Sequence, residues 1–198
     1  VSIIGVGAVG RQVALQLAAI GAGRIELIDF DHVGVENLAV QGFLEEDLGE
    51  PKVQATGRLC RRINSDIEIV ERLDRFRSRH WPGDVVFNCV DSIETRARIW
   101  RALRQRVSLL VDTRMAAEVV RVLTVSDEAS ARHYGTTLFA GSEAYRGACT
   151  ARSTLYCAQL AASLAVAQLG KFLRQLPMEA DMSLNILTAE LSVEEVRT

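Results

Sequence analysis

Three glycines and two carboxylates open the chain in an order suited to binding phosphate. Residues 1–10 read V-S-I-I-G-V-G-A-V-G, an apolar run ending in Gly5, Gly7 and Gly10. Asp29 and Asp31 follow in I-D-F-D, about 20 residues further on. Gly5 permits a tight turn, Gly7 lets backbone approach a phosphate, and Gly10 lets the next helix pack closely, so that its first amides point at an anion. Asp29 is then placed to accept hydrogen bonds from ribose hydroxyls. The chemistry expected at the mouth of the first strand is nucleotide binding; the alternative is a tight β-to-α turn that holds no ligand.

Positioning these residues takes a strand, a helix and a second strand. Hydrophobic periodicity supplies them at residues 1–6, 9–20 and 24–30, a right-handed βαβ unit. Pro51 starts a further helix that Asn64 closes, and Asp66 to Val70 reads as the third strand. D-V-V-F-N-C-V is continuously apolar, as a parallel strand buried on both faces must be, and Asp91 sits at its carboxyl end. A helix over Ile93 to Arg106 leads into V-S-L-L-V-D, and A-E-V-V-R-V-L-T-V predicts a half-exposed strand. Ser126 to Ala148 has no sustained period and reads as a long loop; a helix over Ser153 to Leu176 and a final strand in S-L-N-I-L-T-A-E-L-S-V complete the chain. The predicted architecture is α/β, a Rossmann-like doubly wound sheet, mostly parallel, with antiparallel strands added in the C-terminal half. Residues 1–198 are expected to form a single domain.

Composition narrows the function classes. The 198 residues are 48% hydrophobic and 24% charged, with a formal net charge of −2, so there is no basic field to hold a nucleic acid. The longest apolar stretch, Leu155 to Leu169, is interrupted by Gln159 and Gln168 and reads as a buried helix, not a membrane span. Cys60, Cys89, Cys149 and Cys157 form no C-x-x-C pair, which argues against a zinc clip or a disulfide framework and fits a reducing cytoplasm. The chain opens on Val1, already inside a strand and without Met, so a segment upstream is expected.

The second strand runs on into D-F-D-H-V-G-V-E-N-L-A-V-Q and then D-L-G-E-P-K. Together with the glycines this resembles the ThiF/MoeB/HesA family, the ubiquitin-activating-enzyme-like adenylyltransferases. Their pattern of G-x-G-x-x-G, D-x-D, N-L-x-R-Q, G-x-x-K and a strand-end acid is met by Gly5, Gly7 and Gly10; Asp29 and Asp31; Asn37, Leu38 and Gln41; Gly49 and Lys52; and Asp91, with Arg96 just beyond. The resemblance covers residues 1 to about 125 well, and the later helix and closing strand fit with less specific residues.

The resemblance implies activation of a C-terminal carboxylate: ATP and magnesium bind, the carboxylate attacks the α-phosphate, and an acyl-adenylate and pyrophosphate result. The substrate would be a small ubiquitin-like or sulfur-carrier protein, its tail lying beneath the Ser126 to Ala148 loop, and the enzyme a homodimer. Lys52 would offset phosphate charge, the alternative being a solvated first-turn lysine; only Lys52 and Lys171 of the 23 basic residues are lysine. Asp91 would hold magnesium. Asp31 either braces the following loop, approaches the metal, or caps a helix or Asx-turn. Asn37 and Gln41 offer neutral donors to the triphosphate or satisfy backbone groups in their loop. Arg96 resembles a family arginine, with a surface ion pair to Glu94 or Asp91 as the alternative. Val40 stands where the pattern has arginine, so the guanidinium fork must come from elsewhere, with Arg11 the candidate, or adenylation is impaired. Cys149, before a helix and between Arg146 and Arg152, is placed as an acyl or sulfur acceptor or as a packing residue. Two other readings use fewer of these residues: a nicotinamide-dependent oxidoreductase, which leaves Asn37, Gln41, Lys52 and Asp91 unexplained, and a non-catalytic nucleotide-binding scaffold.

Overall fold

A computed structural model describes residues 1–79, 82–139 and 154–195. The chain runs β1 (Ser2–Ile4), α1 (Ala8–Ala19), β2 (Arg24–Asp29), α2 (Val35–Gln41), α3 (Lys52–Ile63), β3 (Glu68–Leu73), β4 (Val85–Asn88), α4 (Ile93–Leu103), β5 (Leu109–Ala116), β6 (Val119–Val125), α5 (Glu128–Thr136), α6 (Leu155–Leu173), β7 (Asp181–Asn185) and β8 (Glu190–Val193). The strands form a sheet in the order β3-β2-β1-β4-β5-β6-β7-β8. The first five are parallel and the last three add on antiparallel, as expected from the alternation of apolar strands and helices. The order reverses between β1 and β4, the switch point where open α/β sheets receive ligands.

Alternate side chains leave the sheet on opposite faces. Ile3, Leu27, Phe87, Leu109, Val111, Val120 and Val122 pack one face against α1, α3 and α6. Ile4, Ile28, Val86, Leu110 and Leu123 pack the other against Ile99, Trp100 and Leu103 of α4 and Tyr134 of α5. Among the described residues, no helix is long and apolar enough to cross a membrane.

Several elements depart from their expected limits for identifiable reasons. The third strand begins at Glu68 and not Asp66, because the Asn64 side chain accepts the Asp66 amide at 3.1 Å in a local turn. β6, expected to be half-exposed, is buried over most of its length because helices cover both its faces. The presumed loop from Ser126 contains α5, whose Asp127 cap accepts the Ser130 amide at 2.8 Å and whose Tyr134 is buried; residues 140–148 lie outside the described residues. α6 stops at Leu173, short of Leu176. Gln175 turns into the left-handed region at φ 54°, and the amides of Gln175 and Leu176 close on the carbonyls of Phe172 and Lys171. The expected final strand is a hairpin, β7 and β8, whose turn is organised by the Asn185 side chain accepting the Leu187 amide at 3.1 Å.

Candidate functional site

Register builds the site. Ile28, Ile4, Asn88 and Asp112 lie level across β2, β1, β4 and β5. The next residues, Asp29, Gly5, Cys89 and Thr113, therefore form the carboxyl rim of the parallel sheet. Gly5 turns the chain at φ 87°, and a Cβ there would meet the Cys89 carbonyl at 2.9 Å. A Cβ on Gly10 would stand 1.8 Å from the Gly5 carbonyl oxygen, so this glycine is what lets α1 seat against the turn. Gly7 is different, since a Cβ there meets only the Gln41 amide at 3.8 Å. Gly7 is also the N-cap of α1, which has no side-chain cap and no acid in its first turn. The first amides of that helix, which have no intrahelical partners, are open to an anion.

Asp29 is buried, and both its oxygens already accept backbone amides: Val6 to Oδ2 at 2.6 Å and Asp31 to Oδ1 at 2.8 Å. It pins the glycine turn to β2, and a carboxylate has lone pairs left for ribose hydroxyls. Lys52 is 6% exposed and reaches the half-exposed Asp31 carboxylate at 3.2 Å, while its backbone amide donates to the Asp31 carbonyl. Asp31 thus braces the segment that carries Lys52. Asn37 sits in α2, where a loop was expected, and accepts the Gly34 amide at 2.9 Å as part of that helix's cap. Gln41 closes the same helix with a buried Oε1 that has no partner beside Gly7. Arg11 is 3% exposed, its guanidinium 4.7 Å over the Phe43 ring and its Nε unpartnered. Burial pushes the Arg11 pKa down against the pull of Asp47.

On the far side of the switch point Asp91 is exposed just past β4. Arg96 is not a surface residue paired with Glu94 or Asp91. It is 5% exposed and bonds to Asp112, to the carbonyls of Val90 and Asn88, and to the Thr113 carbonyl at 2.9 Å. It ties the β4–α4 connection, which carries Asp91, to β5. Asp112, fully buried, also accepts from Tyr134 Oη at 2.5 Å, Asn88 Nδ2 at 3.0 Å and Arg114 Nε at 3.2 Å. Burial alone would raise the Asp112 pKa, but Arg96 and Arg114 outweigh it and hold the carboxyl below its ordinary value. The signal for this network lay in V-S-L-L-V-D, an acid closing a strand buried on both faces.

The thiols divide by position. Burial pushes Cys60 up to about 11 and Cys89 up to about 12, so neither is a thiolate near neutral pH. Cys157 is buried on α6, and Cys149 lies outside the described residues. His133 stands 2.7 Å from Asp181, a residue 48 positions away that Arg121 grips with two nitrogens. Glu194 completes a cluster with the spacing of a metal site, but the Arg121 guanidinium already supplies its cation.

Comparison with known proteins agrees with this geometry. The family model described as the ThiF family matches residues 1–198. Ubiquitin-like modifier-activating enzyme 5 of Drosophila simulans is 35% identical over 123 residues, 54% of this chain and 30% of that protein. Its counterpart in Branchiostoma floridae is 30% identical over 137 residues, 61% of this chain and 34% of that protein. The chain thus spans about a third of the length of these curated relatives. Among solved structures, PaaA superposes with a TM-score of 0.76 at 16% identity, covering 99% of this chain and 72% of that one. E. coli MccB, solved with MccA, gives 0.77 at 18% identity, covering 98% and 63%, and MccB solved with ATP gives 0.75. At these identities the structural likeness establishes the fold.

Proposed function

This chain belongs to the ThiF family, and from that premise we propose that it adenylates the C-terminal carboxylate of a ubiquitin-like protein or peptide. The observation that carries the reading is that the uncapped N-terminus of α1 at Gly7, the buried Lys52 held by Asp31 after β2, and the exposed Asp91 after β4 all follow the carboxyl ends of neighbouring parallel strands. A dinucleotide site has no use for the last two. The names of the relatives, an activating enzyme for a ubiquitin-like modifier and an enzyme solved with ATP, support the same class of substrate.

In this reading the amides of α1 and the Lys52 ammonium hold the triphosphate, and Asp29 accepts from the ribose. The partnerless Oε1 leaves the Gln41 amide to be completed by ligand or water. An oxygen of the substrate carboxylate bonds to the α-phosphorus as the bond from that phosphorus to the bridging oxygen breaks, and pyrophosphate leaves. Magnesium, when bound, would neutralise charge on the leaving pyrophosphate. Asp91, an exposed hard oxygen donor just past the carboxyl end of β4, has the chemistry this ion prefers and would hold it. Val40 leaves one guanidinium fewer than the family pattern, and Arg11 on α1 is the candidate replacement. We take the assembly to be a homodimer, to be checked by sedimentation at micromolar concentration.

The deciding experiment is ATP–pyrophosphate exchange, with calorimetry for ATP and NAD. Exchange that requires a carrier with a free C-terminal carboxylate, and that fails with the C-terminal amide, supports adenylation. ATP binding without exchange for any carrier would mean a nucleotide-binding scaffold, and NAD binding without ATP binding would mean an oxidoreductase. Asp91→Ala should remove the magnesium dependence of ATP binding while keeping much of the adenosine contact.

A further inference from the structure

A second concentration of charge lies away from the strand-end site. The end of α4 and the residues after it read R-A-L-R-Q-R, and Arg101, Arg104 and Arg106 line a hollow of about 450 Å³ with Ser78 and Gln105. No carboxylate lines it among the described residues. An adjoining hollow of about 440 Å³ shares Arg104 and Gln105; its Arg132 and Glu128 face each other at 3.8 Å and offset one another. The Ser108 amide donates to the Asp84 carbonyl beside the start of β4, so the end of α4 lies at the amino ends of the strands. That is the opposite pole from Gly5, Asp29 and Asp91.

Basic residues at a helix C-terminus ordinarily serve the helix, because they meet its partial negative charge. Arg101 does so through the Ala97 carbonyl, and Arg106 donates to the Ser78 carbonyl at 2.9 Å. Arg104 does not. It is exposed, forms the wall common to both hollows, and has no side-chain partner among the described residues. We propose that this pole docks an acidic peptide segment of a partner protein, whose carboxylates enter the arginine-lined hollow.

Guanidinium forks match carboxylates two bonds at a time, and exposed arginines in a concave site are well placed for it. A nucleic acid fits less well. The chain carries a net charge of −2, so the positive field is local, and Trp100 is 9% exposed and offers no face on which a base could stack. Because the pole lies across the sheet from the rim, its occupant and a nucleotide do not compete.

The test uses the whole chain and fluorescein-labelled dodecaglutamate, followed by anisotropy. Saturable binding is expected at about 50 mM salt, weakened several-fold at about 300 mM, and insensitive to ATP. Arg101→Glu/Arg104→Glu should weaken it about tenfold or more, and the milder Arg101→Gln/Arg104→Gln by less, with ATP affinity unchanged in both and the thermal midpoint lowered by no more than a few degrees through the lost contact of Arg101 with the helix end. Three results would overturn the proposal: no binding by the parent chain, equal binding by both variants, or a single-stranded oligothymidylate of equal charge displacing the peptide at lower concentration.

Discussion

Asp112→Asn removes one charge from the network that supports the β4–α4 connection and leaves Arg96 buried without a counter-ion. Asp112 is 0% exposed and Arg96 5%, so the remaining guanidinium has only neutral carbonyls, those of Asn88, Val90, Thr113 and the new amide, to replace its hydration. Breaking such a buried pair from one side costs about 3–5 kcal/mol, against a total stability of about 5–15 kcal/mol for a domain. For a chain of this length each kcal/mol moves the thermal midpoint by about 2–4 °C, so a fall of about 6–20 °C is expected by circular dichroism. Arg96→Met added to Asp112→Asn removes both charges and should restore part of the loss. The pH dependence has a definite sign. The folded Asp112 pKa is depressed, so its contribution is present above the unfolded value of about 4 and is lost as pH falls through the lower folded value. The parent should therefore shed stability in acid below about pH 4 through this group, and the Asn variant should lack that component. Arg96 also holds the carbonyl of Val90, one residue before Asp91, so under the proposal that Asp91 holds magnesium the variant should need several-fold more of the ion for ATP binding. A midpoint within about 2 °C of the parent would refute the reasoning, because the pair would then be worth no more than a surface contact.

Other outcomes follow from single contacts. Gly10→Ala puts a methyl 1.8 Å from a backbone oxygen that no rotamer change can relieve, and should cost about 3 kcal/mol or more in urea denaturation while weakening ATP binding. Val40→Arg should raise pyrophosphate exchange about 10- to 100-fold if the missing fork limits the rate, since a charge-assisted bond is worth about 1.5–3 kcal/mol. No gain, with Arg11→Ala abolishing exchange, would assign that role to Arg11. Iodoacetamide near neutral pH should alkylate Cys60 and Cys89 slowly, because burial holds their thiols at about 11 and about 12. If Cys149 is the acyl or sulfur acceptor it should react much faster than these two, and Cys149→Ala should leave exchange intact while abolishing a reducible adduct with the carrier.

What could be read from the residues in order was what depends on near neighbours. The turn at Gly5, the seat of α1 on Gly10, the start of α3 after Pro51 and its end at Asn64 are set within a few residues, because backbone sterics and capping act over that range. The alternation of apolar strands and helices was equally legible, and with it the parallel sheet and the rim on which Asp29 and Asp91 fall. Tertiary structure decided the partners. Arg96 reads alone as a surface arginine and becomes a buried tie only because β5 delivers Asp112 beneath it; His133 finds Asp181 only because β7 returns beside β6. Asn37 became a cap, and Asp31 the counter-ion of Lys52, by the way the segment after β2 folds back onto α3. Helix α5 has no clear signature in the sequence because one buried tyrosine and a capping aspartate make too weak a period until the sheet supplies a surface to pack on. Local propensities extend over a few residues, whereas the energy of a buried charge depends on what the whole fold places around it.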